Sequence, residues 1–131
     1  RRVEFFTDYR SAKCQEIHSA SQVAFVWYDP KRRLQVRARG RANVVSDEPW
    51  VEATWESLSP RQKNDYSTVA APGDLRWNGD MDLSDAGKCG YFAVVRTTLE
   101  SIDILELGAQ GHQRWVWEWC SDQWAARAVV P

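Results

Sequence analysis

Apolar and polar positions alternate most cleanly between Leu34 and Val45. Leu34, Val36 and Ala38 fall on one side, and Gln35, Arg37 and Arg39 on the other, the period of a strand with one covered face. Gly40 near its middle predicts a bulge or bend. The run before it, Gln22 to Tyr28, is mostly apolar and predicts a strand buried on both faces. Asp29-Pro30-Lys31-Arg32 supplies the turn, so the two strands form a hairpin. Upstream, Val3 to Thr7 is a short β-rich run. Ser11 to Ser19 predicts a helix capped by Ser11, with Cys14, Ile17 and His18 on its inner face. Downstream, Ser46-Asp47-Glu48-Pro49 and Ser59-Pro60 carry helix-start residues. They predict helices over Trp50 to Trp55 and from Ser59 to about Ala70. Pro72 to Gly90, with Gly73, Gly79, Gly87 and Gly90 among Asp and Asn, reads as a long surface loop. Strands Tyr91 to Thr98, Ser101 to Leu107 and Gln113 to Trp119 follow. A fourth, Trp124 to Val130, lies beyond a turn at Ser121-Asp122. The fold class expected is mainly β, antiparallel, with inserted helices, and the pattern suits a small barrel closed by hairpins.

Composition narrows the function classes. With 131 residues, the chain fits one domain with a modest core. A net charge of −1 gives no electrostatic reason to bind nucleic acid or an anionic membrane. No apolar run approaches the roughly 18 residues of a membrane helix, and no secretory signal is present. Cys14, Cys89 and Cys120 are odd in number and widely spaced, which argues against a disulfide framework or a zinc site and for a reduced, cytoplasmic setting. The chain opens on Arg1-Arg2-Val3-Glu4-Phe5-Phe6 as a strand already under way, so further sequence is expected upstream. Eight Trp are an unusual share. Trp115, Trp117 and Trp119 lie on one strand face, as in a core or dimer interface.

Candidate chemistry concentrates between Phe6 and Lys13. A strand ends there, a polar turn follows, and a helix begins near Ser11. Free N–H groups and the positive dipole end at a helix start favour an anion. Thr7 and Ser11 add hydroxyls and Lys13 a positive charge within one turn. The same residues also fit a capped helix with a solvated lysine, and Asp8 places a carboxylate beside the cradle. Elsewhere the chemistry is sparser. Arg37, Arg39 and Arg41 form a basic stripe of the kind that is usually solvated or ion-paired. His112 sits at a turn, and Asp103 and Glu106 suggest no paired-carboxylate site.

The string Phe-Phe-Thr-Asp-x-x-Ser-x-Lys, then Trp27-Tyr28-Asp29-Pro30, then Arg33-Leu34-Gln35-Val36-Arg37-x-x-Gly40, resembles the pyridoxamine 5′-phosphate oxidase superfamily of FMN-binding split barrels, and the divergent, related FMN-binding branch most. The resemblance implies a Greek-key split β-barrel over residues 1–131. It implies FMN held non-covalently between two identical subunits and a small-molecule substrate. Phe6 and Thr7 correspond to the aromatic-Thr pair at the FMN phosphate and ribityl chain, Ser11 lies on the same turn, and Lys13 matches the phosphate-binding lysine. Gln35 matches the glutamine that bonds the flavin, and Arg37 lies on the strand near the cofactor. The arginine that usually precedes the lysine is Ala12 here, and Arg10 is a candidate to replace it. The family's upstream basic strand is absent, and Pro72-Gly73 stands where a Gln-Ser pair is usual. The substrate motif Arg-x-His-Asp-Arg is reduced to His112-Gln113-Arg114. The missing motif disfavours a genuine pyridoxamine 5′-phosphate oxidase. The expected function is an FMN-dependent oxidoreductase of unknown substrate, with a flavin- or haem-binding module without turnover as the alternative and His112 as its first candidate ligand.

Overall fold

The computed structural model describes residues 1–75, 82–83 and 88–131. Its elements run β1 (Arg2–Asp8), α1 (Ala12–Ser19), β2 (Gln22–Asp29), β3 (Leu34–Val45), α2 (Pro49–Ser57), α3 (Pro60–Asn64), β4 (Phe92–Gly108), β5 (Gly111–Cys120) and β6 (Gln123–Val129). Six strands form one mainly antiparallel sheet in the order β2-β3-β4-β5-β6, with β1 also on β4. Among the described residues the pairing is an open path, not a closed ring. Mainly β with inserted helices, as expected, it is a sheet that stays split.

Several local expectations are corrected. β2 is not buried on both faces. It ends the sheet path, and Val26, Trp27 and Tyr28 are 64%, 45% and 55% exposed. An apolar run reports what a strand can cover, not what covers it. Gly40 makes no bulge against β2, because the register runs unbroken from Gln22↔Arg41 to Asp29↔Leu34. Its missing side chain lets β4 approach instead: a Cβ there would overlap the Thr98 carbonyl. α3 stops at Asn64, far short of Ala70. Its capping box between Ser59 and Gln62 starts it well, but it buries no residue, so no packing extends it. The two strands expected around Leu99-Glu100 are one strand of 17 residues. No Gly, Pro or Asn breaks them, and one strand runs through both. His18 is exposed, leaving Cys14 and Ile17 as the inner face of α1. The expected loop Pro72 to Gly90 lies in part outside the described residues.

By internal contacts the chain comprises two compact units. One holds residues 4–21 and 43–96, and its core joins α2 to the start of β4 through Val51, Trp55, Leu58, Phe92 and Val94. Phe92 has ring neighbours in Phe6, Trp55 and Tyr66 at 5.2, 5.6 and 5.1 Å. The other unit holds residues 1–3, 22–42 and 97–131, essentially a meander of hairpins. Ser121 and Asp122, both with positive φ (48° and 60°), close β5 onto β6 with the twist a two-residue hairpin needs. Gly40→Ala is expected to destabilise the protein by about 2 kcal/mol, the usual range for overpacking against backbone that cannot yield. Denaturant unfolding measures it, and an unchanged midpoint would show that β3 and β4 can part there without cost.

Candidate functional site

β1 ends by turning two side chains inward: Thr7 and Asp8 are both buried. Two residues later Ser11, extended at φ −64° and ψ 148°, occupies the N-cap of α1. Its hydroxyl makes no capping bond, contrary to the expectation that Ser11 caps the helix. It lies 3.4 Å from Thr7 Oγ1 and 3.4 Å from Cys14 Sγ. Lys13 Nζ donates to Thr7 Oγ1 at 3.1 Å. The first N–H groups of α1 therefore lack a side-chain acceptor, and no acid sits in the first turn. Among the described residues Lys13 has no carboxylate partner. Two hydroxyls, one ammonium and a helix start thus meet within seven residues, a donor set suited to a phosphate. Phe6 stands beside it, 43% exposed and edge-on to Phe92.

Asp8 does not oppose that set. Its carboxylate is held by Arg10 through Nη2 at 2.7 Å, Nε at 3.1 Å and the backbone N–H at 2.8 Å. Arg10 also donates to the carbonyls of Thr68 (3.0 Å) and Val69 (3.1 Å), and its guanidinium lies 3.2 Å from the Tyr91 ring centroid. The hydrogen bond to Asp8 raises the Arg10 pKa further above its ordinary value. Arg10 is fully engaged, so it is no substitute for the arginine that Ala12 replaces. Its partners 58 residues away left no mark in the sequence. Only the Asp-x-Arg spacing hinted at the pair.

The remaining candidates fall in the other unit. Gln35 and Arg37 share one face of β3, and the Gln35 amide oxygen accepts from Arg37 Nη2 (2.9 Å) and Nε (2.5 Å). The Gln35 NH₂ remains a donor. His112 is exposed at the start of β5, opposite Leu107. Arg114 is not available to a substrate phosphate as the sequence suggested. It grips Asp103 with two bonds, Nε–Oδ1 at 3.0 Å and Nη2–Oδ2 at 2.7 Å. That grip holds the Asp103 carboxyl below its ordinary pKa, with Arg37 and Arg39 adding to it. The β4–β5 register sets Arg114 opposite Leu105, diagonal to Asp103. A hairpin closed between Gly108 and Gly111 was the signal that could have found this pair. The structure therefore brings together Thr7, Ser11 and Lys13, pairs Gln35 with Arg37, and commits Arg114 elsewhere.

Residues 1–46 match the family model described as pyridoxamine 5′-phosphate oxidase, FMN-binding domain. Among curated proteins, pyridoxine/pyridoxamine 5′-phosphate oxidases of Legionella pneumophila strains Paris and Philadelphia 1 are 32% identical over 82 residues. That stretch is 63% of this chain and 37% of theirs, so the match spans little more than a third of the curated relatives. Among solved structures, a pyridoxamine 5′-phosphate oxidase-related, FMN-binding protein from Nostoc punctiforme superposes with a TM-score of 0.83 at 23% identity. It covers 99% of this chain and 73% of its own. PhzG from Burkholderia lata, solved with tetrahydrophenazine-1-carboxylic acid, gives 0.79 at 16%, covering 100% and 69%. At these identities the two structures establish the fold.

The Asp103–Arg114 pair makes a prediction with a definite sign. A carboxyl with a lowered folded-state pKa stabilises the fold at pH above its ordinary value of 3.8, and the contribution is lost as pH falls below it. Asp103→Asn should lower stability at neutral pH and narrow the gap to the wild type below about pH 4. Urea midpoints across pH measure this, and a gap that does not shrink in acid would deny the pair its role.

Proposed function

Since this chain carries in residues 1–46 a match to the FMN-binding domain of the pyridoxamine 5′-phosphate oxidase family, and shares that family's split-barrel fold, we propose that it binds FMN as a single domain and acts as an FMN-dependent oxidoreductase. The observation behind the proposal is the turn where Lys13 Nζ, Thr7 Oγ1 and Ser11 Oγ converge at an uncapped helix start. A phosphate dianion placed there would take an ammonium, two hydroxyls and the N–H groups of α1. Among the described residues none of these donors is spent on a carboxylate, and the Asp8 carboxylate beside them is neutralised by Arg10. On the family match, which covers them, Gln35 and Arg37 are assigned to the flavin as well, Gln35 with an NH₂ left to donate. Phe6 would cover the ribityl side with a half-exposed ring. Bound FMN supplies the two-electron chemistry, so the protein needs only to bind, orient and exclude water.

Trp27 and Tyr28, large and exposed on an end strand, support a homodimer, since large exposed apolar groups at the end of a sheet invite a partner. We propose a cytoplasmic setting from the three unpaired cysteines. Among the described helices none is long and apolar enough to cross a membrane. The substrate is a small molecule other than pyridoxamine 5′-phosphate, because the Arg-x-His-Asp-Arg motif is reduced to His112-Gln113-Arg114 and that arginine is held by Asp103.

The purified protein should be yellow, with flavin absorption bands, and FMN should raise its melting temperature more than riboflavin does. Lys13→Ala should weaken FMN binding by about tenfold to a hundredfold, the worth of one charge-assisted bond, and leave riboflavin unaffected. A colourless protein indifferent to FMN sinks the proposal, and an unchanged FMN affinity removes Lys13 from the site. Pyridoxamine 5′-phosphate should release no hydrogen peroxide from the loaded protein in an oxidase assay. Robust turnover would assign it the activity of its curated relatives.

A further inference from the structure

A second concave site lies wholly within the unit of residues 1–3, 22–42 and 97–131. It is a cavity of about 400 Å³ on the face formed by β2 to β6, in the range that holds small organic ligands. Ala24, Val26 and Val116 give it an apolar wall. Its charged lining comprises four arginines and two acids, and the acids are already taken. Arg114 holds Asp103 at 2.7 Å and Arg127 holds Glu118 at 2.5 Å. Arg37 and Arg39 make no ion pair with a carboxylate among the described residues, and act on Asp103 only through space.

Both guanidinium groups are nonetheless fixed, and by neutral acceptors. Gln35 orients Arg37, and Arg39 Nε donates to Ser101 Oγ at 3.2 Å. A neutral acceptor sets the direction of the fork and leaves its positive charge and most of its five N–H donors unspent. A merely solvated basic stripe would show neither the fixed forks nor the apolar wall beside them.

We propose that this cavity binds a small organic carboxylate, its carboxylate received by Arg37 and Arg39 and its apolar body laid against Ala24, Val26 and Val116. Planar guanidinium matches carboxylate with two parallel bonds. The residual charge, two cations beyond the paired set, favours an anion over a neutral or cationic analogue. Arg37 is shared with the proposed flavin contact through Gln35, whereas Arg39 belongs to this cavity alone.

Isothermal titration calorimetry of the full chain with 2-naphthoate, 2-naphthamide and inorganic phosphate tests it. Naphthoate should bind, and naphthamide should bind at least about tenfold more weakly, the worth of a charge-assisted contact. Phosphate, lacking the apolar body, should also bind more weakly than naphthoate. Arg39→Gln should cost naphthoate about tenfold. Glu118→Gln should tighten it severalfold by freeing Arg127, a gain that misfolding cannot imitate. The near-ultraviolet circular dichroism of the eight Trp reports whether each variant is folded. If Arg39→Gln loses that signal, Glu118→Gln decides alone. Equal affinity for naphthamide, phosphate binding as tight as naphthoate, or no tightening in Glu118→Gln overturns the proposal, as does naphthoate failing to bind at all. Lys13→Ala, which should weaken FMN uptake and lies outside the cavity, should leave naphthoate affinity of the FMN-free protein unchanged, so failure of the flavin reading and failure of this one are told apart.

Discussion

A β-strand has two hydrogen-bonding edges, and β4 needs both along its 17 residues. β3 lies along it, β5 pairs with Ser101 to Gly108, and β1 bonds to it from Tyr91 back to Leu99, as the Tyr9–Tyr91 and Leu99–Arg1 bonds mark. Phe92, Ala93, Val94 and Val95 are all at most 1% exposed. Four consecutive buried residues mean that both faces of the strand are covered there, so its edges and faces are all committed. The position of β1 follows from this pairing, and with it the place where Thr7 turns inward.

The turn after β1 solves an electrostatic problem. Burying Asp8 would cost several kcal/mol if it stood alone. Arg10 neutralises it, and the Thr68 and Val69 carbonyls and the Tyr91 ring take up the rest of the guanidinium. The carboxylate is thereby withdrawn from the space in front of Ser11. Lys13 is left as the cation there, with a hydroxyl and not an acid as its hydrogen-bond partner. Positive charge is kept at one helix start because negative charge one step away has been answered by a different residue.

The sequence made legible what depends on neighbours along the chain. The alternation of β3 placed its ends at Leu34 and Val45 because period two over 12 residues has few other solutions. Thr7, Ser11 and Lys13 were legible because one turn of chain carries them. What escaped were properties set by distant partners. The exposure of Val26, Trp27 and Tyr28 depends on what lies beyond the sheet's end. The short α3 depends on a packing surface it does not meet. The commitment of Arg114 depends on the β4–β5 register, and that of Arg10 on carbonyls 58 and 59 residues away. Function-bearing cations were visible as residues, but which of them carry a spare charge was visible only in three dimensions.

Cys14 adds a different consequence. Its thiol is fully buried behind the turn, with Sγ 3.4 Å from Ser11 Oγ and 3.5 Å from the Asp8 carbonyl, whereas Cys120 is exposed. An alkylating reagent reaches Cys120 in the native state, but it reaches Cys14 only when α1 lifts from the end of β1. Labelling of Cys14, resolved from that of the half-exposed Cys89, is therefore a clock on the opening of the turn after β1.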